Sequence, residues 1–244
     1  MVHEFDRIFT DLFDKRGDIY KKIVRHLSDG PKTIAELRAL LGYEHGGTLS
    51  KYIKDLTIAG FLKSHAQWSF KTRKFGKQSL IRLCDPYLRF YLKYIEPNLE
   101  KIKKDAFLDS PLSSLPGFQT ILGYQVENLL LNNRRILLKQ IGICENDIVA
   151  DNPYRQDQTL KHRGCQIDYL IQTRSNMLIL CEFKFKTNTI HSNVIDDVVE
   201  KTKRLYTPRG FGISTILVHA GNVSESVYLK DYFLKIIDMA DLLK

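Results

Sequence analysis

The sequence predicts an α/β protein of two domains: a small helical domain that ends in a two-stranded hairpin, followed by an α/β sandwich around a mixed sheet. Two observations lead to this prediction. Three short helical patterns precede two strand-like runs in the first part of the chain, and later a long helical pattern precedes two apolar runs joined by a polar turn. The run LDSPLSSLPGF, residues 108–118, is rich in proline and serine, and we take it as the linker between domains 1–110 and 111–244.

The composition is that of a folded protein, because 43% of the 244 residues are hydrophobic and no apolar run reaches the roughly 18 residues that span a bilayer. The start, MVHEFDRIFTDLF, mixes acids with phenylalanines, unlike a signal peptide, so we expect a cytoplasmic protein without membrane contact. The four cysteines show no CxxC spacing, and neither zinc nor a disulfide is indicated. The net charge of +9 suggests an acidic partner but does not identify one.

Three short helices are predicted in the first domain. The first begins at about Asp18 and ends before Gly30, and its apolar residues recur at helical spacing. The second begins with a capping box formed by Thr33 and Glu36, and Gly42 is a suitable end for it. The third follows at about residues 47–59.

The third helix and the segment FLKSHAQWSFKTRKFGKQSLIRLCD give the outline of a winged helix-turn-helix, in which the segment forms two strands around a basic turn. The helix face and the turn are candidates to bind DNA through Thr48, Ser50, Lys51, Lys54, Lys71, Arg73, Lys74 and Lys77. Arg82 belongs to the same acid-free basic stretch. A solvated basic turn explains the turn residues equally well. For Trp68 we favour core packing, with the third helix as the usual partner, over contact with nucleic acid.

The second domain is predicted to begin with a long helix at about residues 119–140. After a strand and the hairpin of residues 166–185 comes a helix at about residues 192–206, and then the apolar run ISTILVHA, which suits a central strand. FLKIID is expected to form the last strand before a short terminal helix. Helix, hairpin, helix and strand in this order predict an α/β sandwich around a mixed sheet.

The hairpin QIDYLIQTRSNMLILCEFKF contains two acids that come together. With a three-residue loop centred on Ser175, Asp168 and Glu182 lie directly opposite each other, and Lys184 shares their face of the sheet. Opposed carboxylates repel unless a positive charge lies between them. A divalent cation is one candidate, and a salt bridge from Lys184 to one of the acids is the other.

The spacing of these residues resembles the core of the PD-(D/E)XK nuclease-like superfamily. Asp168 is followed after thirteen residues by Glu182-Phe183-Lys184, with Ile167 where the family name has proline. The resemblance implies a restriction-endonuclease-like α/β sandwich in which the two acids and the backbone carbonyl of Phe183 hold Mg²⁺ or Mn²⁺. It also implies that Lys184 orients the attacking water or steadies the charge that develops on the phosphate.

Two neighbouring helices bear on the same resemblance. The family places a metal-binding glutamate on the helix before the hairpin, and Glu127 in GYQVENLLL stands at the matching position; a helix-edge glutamate in water is the alternative interpretation. The following helix, NVIDDVVEKTKRL, has no glutamine of the kind often found in the family. Glu200 or Lys201 would occupy that neighbourhood.

A second resemblance covers nearly the whole chain. The run DPYLRFYLKYIEPNLEKIKK, together with the winged-helix outline before it, resembles the region that follows the ATPase domain in a family of archaeal and bacterial AAA-type ATPases. The phosphate-binding pattern G-x-x-x-x-G-K-[ST] is absent from the sequence. The resemblance therefore implies a detached C-terminal half or a stand-alone descendant of such an ATPase.

These patterns predict a DNA-binding protein with a Mg-dependent phosphodiesterase site, which would make it a metal-dependent DNA endonuclease. Asp168, Glu182, Lys184 and Glu127 would carry the reaction, and the winged helix would target the DNA. The alternative is a non-catalytic module that binds DNA or protein and partners an AAA-type ATPase.

Overall fold

The computed structural model describes residues 11, 17–44, 46–160 and 162–243, and the chain forms two compact units. The first unit consists of the chain up to His65 together with Gln78–Tyr124, and the second consists of Ala66–Lys77 together with the chain from Gln125 onward. The boundary expected from the sequence lies instead between residues 110 and 111. Two segments account for the difference: residues 111–124 belong to the first unit, and Ala66–Lys77, hereafter the hairpin tip, belongs to the second, where Trp68 and Phe70 are buried.

The first unit contains the three predicted helices, α1 (Gly17–Ser28), α2 (Ile34–Leu41) and α3 (Thr48–Ile58), with the two-residue strand β1 (Lys32–Thr33) before α2. The predicted capping box is confirmed: the Glu36 N–H donates to Thr33 Oγ1 at 3.2 Å, and the Thr33 N–H donates to the Glu36 carboxylate at 2.7 Å. Gly42 ends α2 in the left-handed conformation, with φ of 69°. The helices share a core that includes Ile23, Val24, Leu27, Leu37, Leu49, Ile53 and Leu56.

Two longer strands follow, β2 (Leu62–Trp68) and β3 (Phe75–Leu83), and they form a sheet in the order β1-β3-β2. Arg82, which the sequence groups with the basic stretch, is only 3% exposed and donates from Nε to His65 Nε2 at 2.8 Å. The chain then continues through α4 (Pro86–Phe90), a π-helical turn (Tyr91–Ile95), a 3-10 turn (Glu96–Asn98) and α5 (Leu99–Ile102).

The single helix predicted at residues 119–140 is two helices, α6 (Phe118–Asn132) and α7 (Arg134–Ile141). The break is at Asn133, whose φ of −109° and ψ of 34° are not helical. Its side-chain amide donates to the Leu129 carbonyl at 2.8 Å. Asparagine competes in this way for backbone hydrogen bonds that a helix would use, which explains the interruption.

A mixed five-stranded sheet forms the centre of the second unit, as the sequence predicts. The strands lie in the order β4 (Ile148–Gln156), β5 (Cys165–Thr173), β6 (Met177–Phe185), β7 (Gly212–Ala220) and β8 (Lys235–Asp238). The pairs β4–β5 and β5–β6 are antiparallel, whereas β6–β7 and β7–β8 are parallel. The run ISTILVHA is the inner strand β7, and three of its residues, Ile216, Leu217 and Val218, are fully buried.

Helices cover both faces of this sheet. Leucines of α6 and α7 pack on the face that carries Tyr169 and Cys181. The helix α8 (Asn193–Arg204) packs on the other face through Val194, Ile195 and Val198, close to Leu217. The short helix α9 (Glu225–Leu229) and a terminal 3-10 turn (Met239–Leu243) complete the unit. Among the residues that the structure describes, no helix has the length and apolar character needed to cross a membrane.

The hairpin tip packs on β4 and β5. Trp68 is 4% exposed and donates from Nε1 to Gln172 Oε1 at 2.7 Å, and Gln172 Nε2 donates to the Phe70 carbonyl at 2.9 Å. The Trp68 ring meets the Tyr154 ring edge to face, with centroids 5.2 Å apart. The predicted burial of Trp68 is confirmed, but its partners are strands of the second unit and not α3.

Candidate functional site

Asp168 on β5 and Glu182 on β6 are brought together by the register of the hairpin. Leu170 pairs with Leu180, and the same register sets Asp168 opposite Glu182 two residues further along. The three-residue loop is present as predicted, and Asn176 closes it with a left-handed φ of 62°. The local prediction of two adjacent carboxylates is therefore confirmed.

Groups of the same hairpin hold both carboxylates. The N–H of Phe183 donates to Asp168 Oδ2 at 2.9 Å, and Lys184 Nζ lies 2.8 Å from Glu182 Oε1. The Glu182 side chain is 5% exposed and that of Asp168 is 14% exposed. Because little water surrounds the pair, charges near it interact more strongly than they would at the surface.

A second lysine, Lys201 on α8, bridges the two acids. Its Nζ lies 2.5 Å from Glu182 Oε2 and 3.8 Å from Asp168 Oδ1. From the sequence, Lys201 is expected only in the neighbourhood of the site and not among its functional residues. The available signal is helical spacing: Val194 and Val198 are buried, and Lys201 continues the same stripe seven residues after Val194.

The protonation of these groups reflects their mutual contact. Burial, followed by repulsion from Glu182, raises the pKa of Asp168 from its ordinary 3.8 to about 6. Burial alone would lower the pKa of Lys201, but the carboxylates of Asp168 and Glu182 outweigh it, so the pKa is raised. The lysine therefore stays charged at neutral pH, and its positive charge offsets the repulsion between the two carboxylates.

The acids open onto a cavity of about 480 Å³. Lys184 also lies 3.9 Å from Asp197, an exposed acid of α8. The cavity thus combines four carboxylates with three basic side chains, and its lining is Cys165, Gln166, Asp168, Glu182, Lys184, Asp197, Glu200, Lys201 and Arg204. A site of this composition and size can admit a phosphate group with its counterions.

The donor chemistry of the site suits a hard divalent cation, because Mg²⁺ is commonly held by one or two carboxylates together with water and substrate phosphate. Asp168 and Glu182 supply two carboxylates, and the raised pKa of Asp168 indicates a position where added positive charge is favourable. Within the described residues, however, no group of three or more acids, histidines or cysteines is placed to hold a metal. The ammonium group of Lys201 would have to leave both acids before a cation could bind them.

Glu127 lies on α6 and is half-buried. It is not among the residues that line the cavity, whereas Asp168 and Glu182 are. The side chain of Phe183 packs in the core near Tyr169, with ring centroids 6.4 Å apart. The metal-binding roles of Glu127 and of the Phe183 carbonyl stay predictions.

The residues predicted to bind nucleic acid are exposed, but they belong to two units. Thr48, Ser50, Lys51 and Lys54 lie on the outer face of α3, opposite the buried Leu49, Ile53 and Leu56. Lys71, Arg73, Lys74 and Lys77 belong to the hairpin tip. Arg73 has a structural role as well, because it donates to Asn176 Oδ1 at 2.9 Å and to the Arg174 carbonyl at 3.2 Å.

Comparison with known proteins gives few relatives. No family model matches the chain. A stretch of 88 residues is 30% identical to an uncharacterized protein of Methanocaldococcus jannaschii; the match covers 36% of this chain and 19% of that protein, so the chain spans about a fifth of the relative's length. A repair endonuclease from Pyrococcus abyssi, known from its crystal structure, aligns over 46% of this chain and 44% of its own at 16% identity, with a TM-score of 0.31. A likeness this weak supports no argument about function.

Proposed function

We propose that the protein is a DNA-binding, Mg-dependent phosphodiesterase, with a PD-(D/E)XK nuclease-like second unit and a winged helix-turn-helix in the first. The observation that supports the proposal is the arrangement of Asp168, Glu182 and Lys184 on one face of the hairpin, at the wall of a cavity. Two carboxylates this close are costly for folding, and a site that must hold a cation gives a reason for keeping them.

The cation would be held by Asp168, Glu182 and the carbonyl of Phe183. When bound, it lowers the pKa of a water molecule and offsets charge on the scissile phosphate. Lys184, 2.8 Å from Glu182, keeps that carboxylate oriented and brings a positive charge to the cavity. Lys201 must move its ammonium group away from the acids, after which it can pair with a phosphate of the substrate.

The competing function is a non-catalytic module that binds DNA or protein and acts beside an AAA-type ATPase. The specific observation in its favour is the completeness of the charge cluster, since two lysines already neutralise two acids. Breaking a buried ion pair is costly, so such a cluster can persist for structural reasons alone.

The decisive experiment is to incubate the purified chain with plasmid, single-stranded and branched DNA in Mg²⁺ or Mn²⁺. We expect cleavage by the wild type that is lost in Glu182→Ala and Lys184→Ala, while Lys230→Ala, which changes the exposed lysine that follows α9, cleaves normally. Cleavage that persists in both site variants would come from a contaminant. Failure of the wild type to cleave any of these substrates would favour the module.

A further inference from the structure

Two exposed rings stand beside the cavity and are not needed for the core. The rings of His162 and Tyr206 are 5.0 Å apart, with their planes inclined at 58°. Tyr206 is 45% exposed and His162 is also exposed, whereas the adjacent Leu205 is 4% exposed and provides the packing of its segment. The pair brings together the loop between β4 and β5 and the loop that follows α8.

The side chain of Gln156 fixes these two loops to each other. Its Nε2 donates to the Arg163 carbonyl at 2.7 Å and to the Arg204 carbonyl at 2.8 Å, and its Oε1 accepts from the Tyr206 N–H at 2.8 Å. Arg204 lines the cavity, and Tyr206 follows it by two residues. The ring pair is therefore held at the rim of the cavity that contains the two acids.

The rim is rich in exposed basic side chains. Arg163 lies on the first loop, Lys203 and Arg204 end α8, and Arg209 follows in the second loop, all of them exposed. Two of them are paired with an acid, because the carboxylate of Glu200 lies 3.5 Å from both Lys203 and Arg204. Two exposed rings with four basic residues close to them along the chain form a surface suited to a polyanion that also carries flat aromatic groups.

Single-stranded DNA has this chemistry, because its bases are unpaired and can stack on aromatic side chains while basic residues follow the backbone. In a duplex the faces of the bases are covered by their neighbours. We propose that the His162–Tyr206 pair stacks an unpaired nucleobase at the rim of the cavity, with Arg163 and Arg204 contacting the adjacent phosphates. The choice of DNA rests on the proposed function, and the inference adds a substrate class: DNA with a single-stranded segment next to the cleaved bond.

The test is binding in the absence of divalent ions, measured by fluorescence anisotropy with a labelled oligothymidylate and with a blunt duplex of equal length. Tyr206→Ala is expected to weaken single-strand binding by roughly five- to 150-fold, the range for loss of one base–aromatic stack. Tyr206→Phe, which keeps the ring, should bind like the wild type. Tyr228→Ala removes a tyrosine on α9 that is 53% exposed and serves as the matched control, with no change expected.

An oligonucleotide of the same length with abasic positions separates stacking from charge, because it keeps every phosphate. Tyr206→Ala should bind this abasic oligonucleotide as tightly as the wild type does. The inference is overturned if Tyr206→Ala binds the oligothymidylate as tightly as the wild type does, or if it loses single strand and duplex equally. Cleavage of DNA alongside an unaffected Tyr206→Ala variant would remove the stacking site but leave the proposed function. Normal stacking without any cleavage would keep the stacking site but contradict the proposed function.

Discussion

At the residue scale, burial and the neighbouring Glu182 make the charge of Asp168 costly for the fold. Its pKa of about 6 means that the native state holds its proton more tightly than the unfolded chain does. We expect Asp168→Asn to raise the melting temperature of the metal-free protein at neutral pH, because the amide can still accept from the Phe183 N–H and no longer repels Glu182. A shift from 3.8 to about 6 corresponds to at most about 3 kcal/mol.

The pH dependence gives this prediction a sign that can be checked. Between pH values of about 4 and 6 the native state binds more protons at Asp168 than the unfolded state, so the unfolding free energy falls as the pH rises through this range. The stabilisation by Asp168→Asn should therefore shrink toward zero as the pH is lowered to about 4. A lower melting temperature for Asp168→Asn at neutral pH would show that the carboxylate is needed as an ion-pair partner.

Lys201 gives a second prediction at this scale. Replacing it with methionine removes the charge that bridges Glu182 and Asp168, so we expect a lower melting temperature without metal. The further rise on adding Mg²⁺ or Mn²⁺ should be larger than in the wild type, because no ammonium group competes for the acids. Ligand that binds only the native state stabilises it by about 2.7 kcal/mol at a hundredfold excess over Kd, which thermal melts detect.

The matched control is Lys203→Met, two residues further along α8, whose side chain is 67% exposed. It should change neither the melting temperature nor the response to metal. If divalent ions raise the melting temperature of neither the wild type nor Lys201→Met, the acids serve only as ion-pair partners of the lysines. That result would contradict the proposed metal site and the proposed nuclease activity.

At the scale of elements, the hydrogen bond from Trp68 to Gln172 is one of the contacts that hold the hairpin tip on β5. Trp68→Phe keeps most of the apolar surface but leaves the fully buried Gln172 without the indole N–H that its Oε1 accepts. We expect a loss of about 1–3 kcal/mol in unfolding free energy, the usual cost of an unsatisfied buried polar group. Denaturant unfolding measures it.

Phe75→Leu provides the comparison for this variant. Phe75 lies in the same tip but is 56% exposed, so its change should be within about 0.5 kcal/mol. Equal stability of Trp68→Phe and the wild type would mean that the Trp68–Gln172 hydrogen bond does not hold the tip.

The features that the sequence predicts well are those with local causes. The capping box of Thr33 and Glu36 lies within four residues, and the register that opposes Asp168 to Glu182 follows from the length of one loop. Alternation along β6 then puts Lys184 on the same face as the acids. The acid pair and Lys184 could therefore be predicted from residues 166–185.

The features that the sequence does not reveal depend on partners far along the chain. Trp68 and Gln172 are 104 residues apart, and no local pattern indicates their hydrogen bond. Lys201 approaches the acids only because α8 packs across the sheet, and its distance from Glu182 along the chain is 19 residues. Periodicity identifies the buried stripe of α8 but not the strand that the stripe covers.

At the scale of the whole molecule, the exposed lysines of the hairpin tip test DNA binding. If they contact phosphates, log affinity for duplex DNA falls linearly with log salt, by roughly 0.9 per phosphate. Replacing Lys71, Lys74 and Lys77 together with alanine should flatten that slope by roughly two to three. We leave Arg73 in place because it donates to Asn176 and the Arg174 carbonyl.

The same number of charges can be removed elsewhere as a control. Lys101, Lys103 and Lys104 are exposed on and after α5, and their joint replacement should leave the slope unchanged. Equal slopes for the two triple variants would exclude the tip from the DNA interface and direct attention to Thr48, Ser50, Lys51 and Lys54.

The division of the chain also predicts the behaviour of fragments. A fragment of residues 111–244 follows the boundary expected from sequence but lacks the hairpin tip, so Tyr154, Leu170 and Gln172 lose the partners that cover them. We expect this fragment to be markedly less stable to denaturant than the second unit is in the full chain. A fragment as stable as the full chain would show that the tip adds little to the second unit.

The discontinuity of the second unit also sets an order of events during synthesis. Trp68 leaves the ribosome 104 residues before Gln172, a delay of roughly 5 to 20 seconds at usual elongation rates. Throughout that interval the two aromatic residues Trp68 and Phe70 have no surface to cover them. The nascent chain therefore carries an exposed apolar tip, and it can bury that tip only after β4 and β5 have emerged.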